Sequence, residues 1–159
     1  MYLAVLTIHN VLRWFVILFG LMAAIGGFVG WLGKRPWGRG DNRAGMLFTM
    51  VLDLQFLAGA VLYFVLSPIT RGALGNMAGA MGNAVTRYFT VEHVALMVLA
   101  VVVAHVTRSR TRRAAGEAAR HRTAAIGFSL SMLLILSAIP WPFLQVGRPL
   151  LRLLGVDIG

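Results

Sequence analysis

Long apolar runs alternate with short polar segments along this chain, and the pattern predicts membrane-spanning helices. The apolar runs cover residues 3–32, 46–66, 88–106 and 123–144. Each is near or above the roughly 20 residues that a helix needs to cross a bilayer. Helices are the expected form because lipid offers the backbone no hydrogen-bond partners. The short connections then predict an all-α membrane protein, with residues 1–159 forming one up-down-up-down four-helix transmembrane bundle.

The basic residues lie mostly in two of the three connections, and this indicates an orientation. Ten of the fifteen Lys and Arg residues fall in segments 33–45 and 107–122. Segment 67–87 and the C-terminal region together hold only Arg71, Arg87, Arg148 and Arg152. Short loops rich in Lys and Arg stay in the cytoplasm. We therefore expect the first and third connections to be cytoplasmic and both termini to lie outside.

The residues after the fourth apolar run have a mixed pattern. Segment 149–155 begins with Pro149 and places four leucines around Arg152. Leucines combined with a basic side chain are typical of a short amphipathic helix lying along a membrane interface. We therefore expect an interfacial helix over residues 149–155.

Composition excludes several classes of function. With 58% hydrophobic and 13% charged residues and a mean hydropathy of +0.78, the chain is not an ordinary soluble domain. The net charge of +10 sits between apolar runs and not on a basic face, so no nucleic acid is expected as a partner. The absence of cysteine excludes disulfides, thiolate metal sites and iron–sulfur clusters. No hydrolase, phosphate-loop or zinc motif is present, which favours a redox or accessory subunit over a stand-alone enzyme.

Ionisable residues inside the apolar runs form layers. His9 lies roughly 10 Å below the outer end of the first helix, and Arg13 lies one turn deeper. Asp53 falls near the midplane of the second helix, whereas Glu92 and His93 fall near the outer end of the third. Charges in the hydrocarbon region are costly and mark either paired structural groups or a site. One interpretation is a structural ion pair between Arg13 and either Asp53 or Glu92.

A second interpretation is a haem site. The first and third helices of such a bundle are diagonal, so His9 and His93 at equal depth could bind a haem b iron, or another metal, from both sides. Arg13 could then bind a haem propionate. An inner site would use His105 and His121, but His105 lies twelve residues after His93, about 18 Å further and some 120° around the helix. That rotation counts against a ladder of two haems.

Several motifs together resemble a known family. They are His9-x-x-x-Arg13-Trp14, Gly30-Trp31-Leu32-Gly33, Gly40-Asp41, Gln55-x-x-x-Gly59-x-x-Leu62-Tyr63, Thr90-Val91-Glu92-His93 and Ile139-Pro140-Trp141-Pro142-Phe143. The chain is similar over nearly its whole length to small four-helix bacterial membrane proteins labelled cytochrome b-like, which have no firm functional assignment. Relatives often carry His where this chain has Asp53. The resemblance implies a bacterial cytoplasmic membrane protein related to haem-binding electron carriers.

Two functions remain open at this point. The leading hypothesis is a haem b-binding electron-transfer subunit in the lipid bilayer, with its site in the outer half of the bundle and quinone as a possible redox partner. The alternative is a cofactor-free accessory subunit of a larger respiratory or photosynthetic membrane complex. A larger complex or a homo-oligomer is expected in either case. Copper handling by Met77 and Met81 with the outer histidines is a weaker alternative.

Overall fold

The computed structural model describes residues 1–153 and 156–158. Helices make up 79% of the structure, which confirms a mostly α-helical protein. The elements, in chain order, are α1 (Tyr2–Leu32), α2 (Arg39–Val61, continued by a π-helical turn at Leu62–Leu66), α3 (Pro68–Gly75), α4 (Met77–Met81), α5 (Ala84–Arg87, continued by a π-helical turn at Tyr88–Glu92), α6 (His93–Arg113), α7 (Glu117–Ser137), β1 (Leu151–Leu153) and β2 (Val156–Ile158).

The four long helices α1, α2, α6 and α7 pack as a four-helix bundle. Each contacts two neighbours, in the cyclic order α1, α2, α6, α7, so α1 lies diagonal to α6 and α2 lies diagonal to α7. Neighbouring helices run antiparallel. For example, Gly20 of α1 lies against Met132 of α7, and Gly27, further along α1, lies against the earlier residue Ala125. Short α3, α4 and α5 cover one end of the bundle, between α2 and α6.

The bundle core is apolar and closely packed. Phe48 of α2 and Phe128 of α7 meet edge to face with ring centroids 5.5 Å apart. Ala100 and Ala104 line α6 at this level and are completely buried. The Ser131 hydroxyl donates to the carbonyl of Ala100 at 2.9 Å, which satisfies a polar group in the core. Small residues on α6 therefore let α7 approach closely.

The outer surface of the bundle is also apolar, as expected for a protein in lipid. Leu133 in the C-terminal half of α7 is 65% exposed, and Leu57 in the C-terminal half of α2 is 61% exposed. Three segments are long and apolar enough to cross a membrane: Tyr2–Leu32, Arg39–Leu66 and Ala84–Arg113. Large exposed apolar side chains on long helices are stable in lipid and not in water. The structure therefore supports membrane association.

Helix boundaries differ from the predicted ones because the helices continue into polar segments. α2 begins at Arg39, before the predicted 46, and α6 ends at Arg113, after the predicted 106. α7 begins at Glu117 but ends at Ser137, so the predicted helix over 123–144 is wrong in its last turns. Pro140 and Pro142 follow and cannot continue a helix. Between α6 and α7, Gly116 takes a φ of +85°, which permits a tight turn.

The C-terminal segment corrects another prediction. The described part of 149–155 contains no helix, and residues 154 and 155 lie outside the described residues. Instead, β1 pairs with β2 in an antiparallel hairpin, with Leu151 opposite Ile158 and Leu153 opposite Val156. Alternating apolar and polar residues in both three-residue segments match the two-residue period of a strand. β1 packs on the N-terminal half of α1, where the backbone N–H of Arg152 donates to Oδ1 of Asn10.

Candidate functional site

His9 and His93 face each other across one end of the bundle. His9 lies in the third turn of α1, and His93 is the first residue of α6. Although these two helices are diagonal, the imidazole centroids are only 6.4 Å apart, with an interplanar angle of 69°. The sequence prediction that the two histidines share a depth is therefore confirmed.

The end of α7 orients His93. The last carbonyls of a helix lack intrahelical partners. The carbonyl of Ala138, just after α7, accepts a hydrogen bond from Nδ1–H of His93 at 2.7 Å and another from the Tyr88 hydroxyl at 2.8 Å. A bond of this kind fixes both the tautomer and the ring orientation of a histidine. It leaves Nε2 of His93 as the acceptor nitrogen, and no protein hydrogen bond to Nε2 occurs in the described part of the chain.

The hydrogen bond that orients His9 is longer than the one that orients His93. The amide nitrogen of Gln55 donates to Nε2 of His9 at 3.3 Å. Gly59 lies beside the ring, and a Cβ at that position would stand 3.2 Å from Cε1 of His9, so the glycine lets the ring lie against α2. Within the described residues, His9 Nδ1, Gln55 Oε1 and Arg13 Nε are buried without a hydrogen-bond partner. Three unsatisfied polar atoms around one space indicate that the protein alone does not complete this site.

These groups line a cavity of about 450 Å³. Apolar and aromatic side chains form most of its wall, including Phe56, Tyr63 and Phe89. Arginines lie around it: Arg13, Arg148 and Arg152 all line the cavity. The guanidinium of Arg148 lies 5.1 Å from the ring centroid of Phe89. An apolar space with a few polar groups and several cations suits a flat apolar ligand that carries negative groups.

The predicted ion pair of Arg13 is wrong. Arg13 is buried, at 9% exposure, but its guanidinium donates to Asn10 Oδ1 at 3.4 Å and to the backbone carbonyl of Leu150. The C-terminal segment folds back over α1 and offers Arg13 a backbone carbonyl in place of the predicted carboxylate. The two predicted carboxylates have other partners: Glu92 accepts from Arg87 at 2.8 Å, and Asp53 from His105.

The predicted inner site is not assembled. His105 is half exposed and donates through Nε2 to Asp53 of α2 at 2.7 Å. His121 is completely buried on the α1 side, packed on Gly30 and with its centroid 4.8 Å from that of Trp37. Both of its ring nitrogens lack a partner among the described residues. The two histidines face different helices and do not form the predicted inner pair.

His9 and His93 form a donor set of two imidazoles. No group of three or more His, Cys, Asp or Glu side chains that could hold a metal is found in residues 1–153 and 156–158. Haem supplies four nitrogens of its own and needs only two from the protein. Imidazoles on opposite sides of one metal have ring centres about 6 Å apart, because each metal–nitrogen bond is about 2.0 Å. The separation of His9 and His93 matches that value.

Sequence reasoning missed part of this site. Arg148 and Arg152 were counted only as outer charges, because their approach to the cavity depends on how the C-terminal segment returns to the bundle. Ala138 was missed because its contribution is a backbone carbonyl, for which the side-chain type gives no signal. No family model, no curated protein and no solved structure matches this chain. The family resemblance therefore stays a prediction.

Proposed function

We propose that this protein is a haem b-binding membrane subunit that carries electrons near the outer end of its bundle. The observation that carries the proposal is the His9–His93 pair, 6.4 Å apart on diagonal helices and facing one cavity. Bound haem would supply an iron that gains and loses one electron. Nε2 of His93 and a ring nitrogen of His9 would hold the iron, and Gln55, which now donates to Nε2 of His9, would lie beside it.

Arg13 and Arg148 would bind the propionates, whereas the guanidinium of Arg152, which also lines the cavity, is paired with Asp157. Arg148 and Arg152 reach the cavity from the C-terminal segment, while Arg13 reaches it from α1. Charge-assisted hydrogen bonds from guanidinium to carboxylate are among the stronger ones in proteins. The protein's own contribution is therefore to orient one imidazole through Ala138, to exclude water with an apolar wall, and to neutralise the acidic edge of the cofactor.

The proposal includes four membrane spans with both termini outside, in a bacterial cytoplasmic membrane. α7 is antiparallel to α1 and α6 and packs along both, so it lies at the same depth as the helices of spanning length. Ten basic residues at the α1–α2 and α6–α7 connections support a cytoplasmic position for that end. The cavity then opens on the outer side. A quinone in the bilayer, or a larger complex, would supply or remove the electron.

Optical spectroscopy tests the haem directly. The chain is expressed with added haem precursor, purified, and recorded as a reduced-minus-oxidised spectrum. We expect Soret and α bands of a low-spin b-type haem. His93→Ala should remove them or convert them to a high-spin spectrum, whereas His105→Ala should leave them unchanged, because His105 lies outside the cavity. No bands in a correctly folded preparation, or loss of haem from the His105 variant alone, would refute the proposal.

The competing candidate is a cofactor-free accessory subunit of a larger respiratory or photosynthetic complex. It is favoured by the hydrogen bonds that His93 and Arg13 already make to Ala138 and Leu150. Under this alternative, both histidine variants would lack haem bands just as the parent does. The chain would also co-purify with larger partners in mild detergent.

A further inference from the structure

Asp53 and His105 form an exposed polar pair on the outside of the bundle. Nε2 of His105 donates to Oδ1 of Asp53 at 2.7 Å, across the groove between α2 and α6. The two side chains are 46% and 48% exposed, so they face away from the core and away from the cavity of His9. This position separates the pair from the proposed haem site.

The pair lies within the apolar band of the bundle. Asp53 follows Arg43, the last basic residue before it, by ten residues, or about 15 Å of helix. His105 precedes Arg108 by three residues, which places it in the half of the band nearer the basic end. Ionisable groups at such depth almost always face protein or water and not hydrocarbon. An exposed Asp–His pair there indicates a surface that lipid does not cover.

Exposed apolar residues of α2 and α6 flank the pair, mostly on the side away from the basic end, and we call them the α2–α6 face. Its members are Met50, Leu54, Leu57, Leu99, Val102 and Val106. Their side chains range from 43% to 61% exposed. Towards the basic end, His105 lines a polar pocket with Arg108, Ser109 and Arg112. Apolar side chains beside a polar pair suit an interface between membrane helices, because the polar groups gain partners while the neighbouring side chains exclude lipid.

We propose that a second copy of this chain covers the α2–α6 face. In a two-fold dimer the same patch occurs on both sides, so Asp53 of one copy meets His105 of the other, and the reverse. Each copy leaves one oxygen of Asp53 and Nδ1 of His105 without a hydrogen bond among the described residues. A protonated imidazole can donate through both nitrogens. Two copies would therefore form a closed ring in which each Asp53 carboxylate lies between two His105 imidazoles.

Cysteine cross-linking tests the arrangement, since the chain contains no native cysteine. Leu54→Cys and Val102→Cys place a thiol on the α2–α6 face, whereas Leu18→Cys on α1 and Leu133→Cys on α7 serve as controls of similar exposure. Native membranes are treated with a membrane-permeant oxidant. We expect a product of twice 17.3 kDa from the first two variants and little from the controls.

A second set of variants tests the polar pair itself. In the Leu54→Cys background, Asp53→Leu combined with His105→Leu should lower the dimer yield several-fold while circular dichroism shows an unchanged helix content. Three results would overturn the proposal: no cross-link from either face position, equal cross-linking from Leu133→Cys, or a product whose mass identifies a different protein on this face. The haem spectrum is recorded separately and does not depend on these outcomes.

Discussion

Small residues determine how closely α1 packs against α7. A Cβ on Gly27 would lie 2.6 Å from the backbone nitrogen of Ala125, and the ring of His121 fills the space beside Gly30. By contrast, a Cβ on Gly26 would meet only Oδ1 of Asp41, at 3.7 Å. Adjacent glycines of the same helix thus have different roles: Gly27 is part of the helix contact, and Gly26 is not.

Alanine substitutions at these two glycines separate packing from helix propensity. We expect Gly27→Ala to destabilise the protein by about 1–3 kcal/mol, because the backbone of α7 must move to admit a methyl group. Gly26→Ala should be neutral or slightly stabilising, because alanine favours helix over glycine. Thermal unfolding of the two variants in detergent, followed by circular dichroism, measures the difference. Equal stability of the variants would contradict the close α1–α7 contact.

The spacing of residues along the helices predicted some contacts between single residues and missed others. The rise of 1.5 Å per residue was enough to place His9 and His93 at one depth. It was not enough for the partner of Arg13, because the carbonyl of Leu150 comes from 137 residues away in sequence. Glu92 was one of two predicted partners of Arg13, although Arg87, five residues before Glu92, was available on the same side. Short-range pairs deserve weight before long-range ones when both are possible.

At the scale of elements, the C-terminal hairpin is the largest difference from the expected structure. Two segments with alternating polarity, Leu151–Leu153 and Val156–Ile158, were present in the sequence as a strand signal. The leucines and Arg152 fit an amphipathic helix equally well over so short a segment. The segments form strands because they pair with each other. The ion pair between Arg152 and Asp157 supports this pairing, with Nε of Arg152 2.5 Å from Oδ1 of Asp157.

That ion pair gives the hairpin a pH dependence. The hydrogen bonds from Arg152 hold the pKa of the Asp157 carboxyl below its usual value. Because the pKa of this carboxyl is lower in the folded hairpin, its ionised form stabilises the hairpin at pH values above about 3.9, the pKa of an unfolded Asp. This stabilisation is lost as the pH falls through the folded pKa. We expect amide hydrogen exchange in β1 and β2 to accelerate below about pH 4, after correction for intrinsic rates. Asp157→Asn should exchange faster at pH 7 and show no such transition; an identical profile for both proteins would contradict the role of the pair.

At the scale of the whole molecule, the basic connections and the cavity of the candidate site lie at opposite ends of the bundle. The two basic connections join α1 to α2 and α6 to α7 at one end, while the cavity and the hairpin lie at the other. Apolar runs and charge counts were sufficient to predict this polarity, because both depend on composition along the chain. The cavity itself was not predictable, since it depends on side chains from α1, α2, α6 and the C-terminal segment meeting at one level.

The proposed four-span topology rests most heavily on α7. Its apolar part, residues 123–137, is only about 22 Å long, so it needs the following apolar turn around Trp141 to match a hydrocarbon thickness of about 30 Å.

Single cysteines at Ala78, Ala115 and Val156 test the four-span topology, because all three positions are exposed. In right-side-out membrane vesicles, an impermeant maleimide should label Ala78→Cys and Val156→Cys directly and Ala115→Cys only after permeabilisation. If Val156→Cys behaved like Ala115→Cys, α7 would not cross the membrane, and the cavity arginines of the C-terminal segment would lie on the wrong side for the proposed site. If Ala115→Cys alone were labelled directly, the four spans would stand with the opposite orientation.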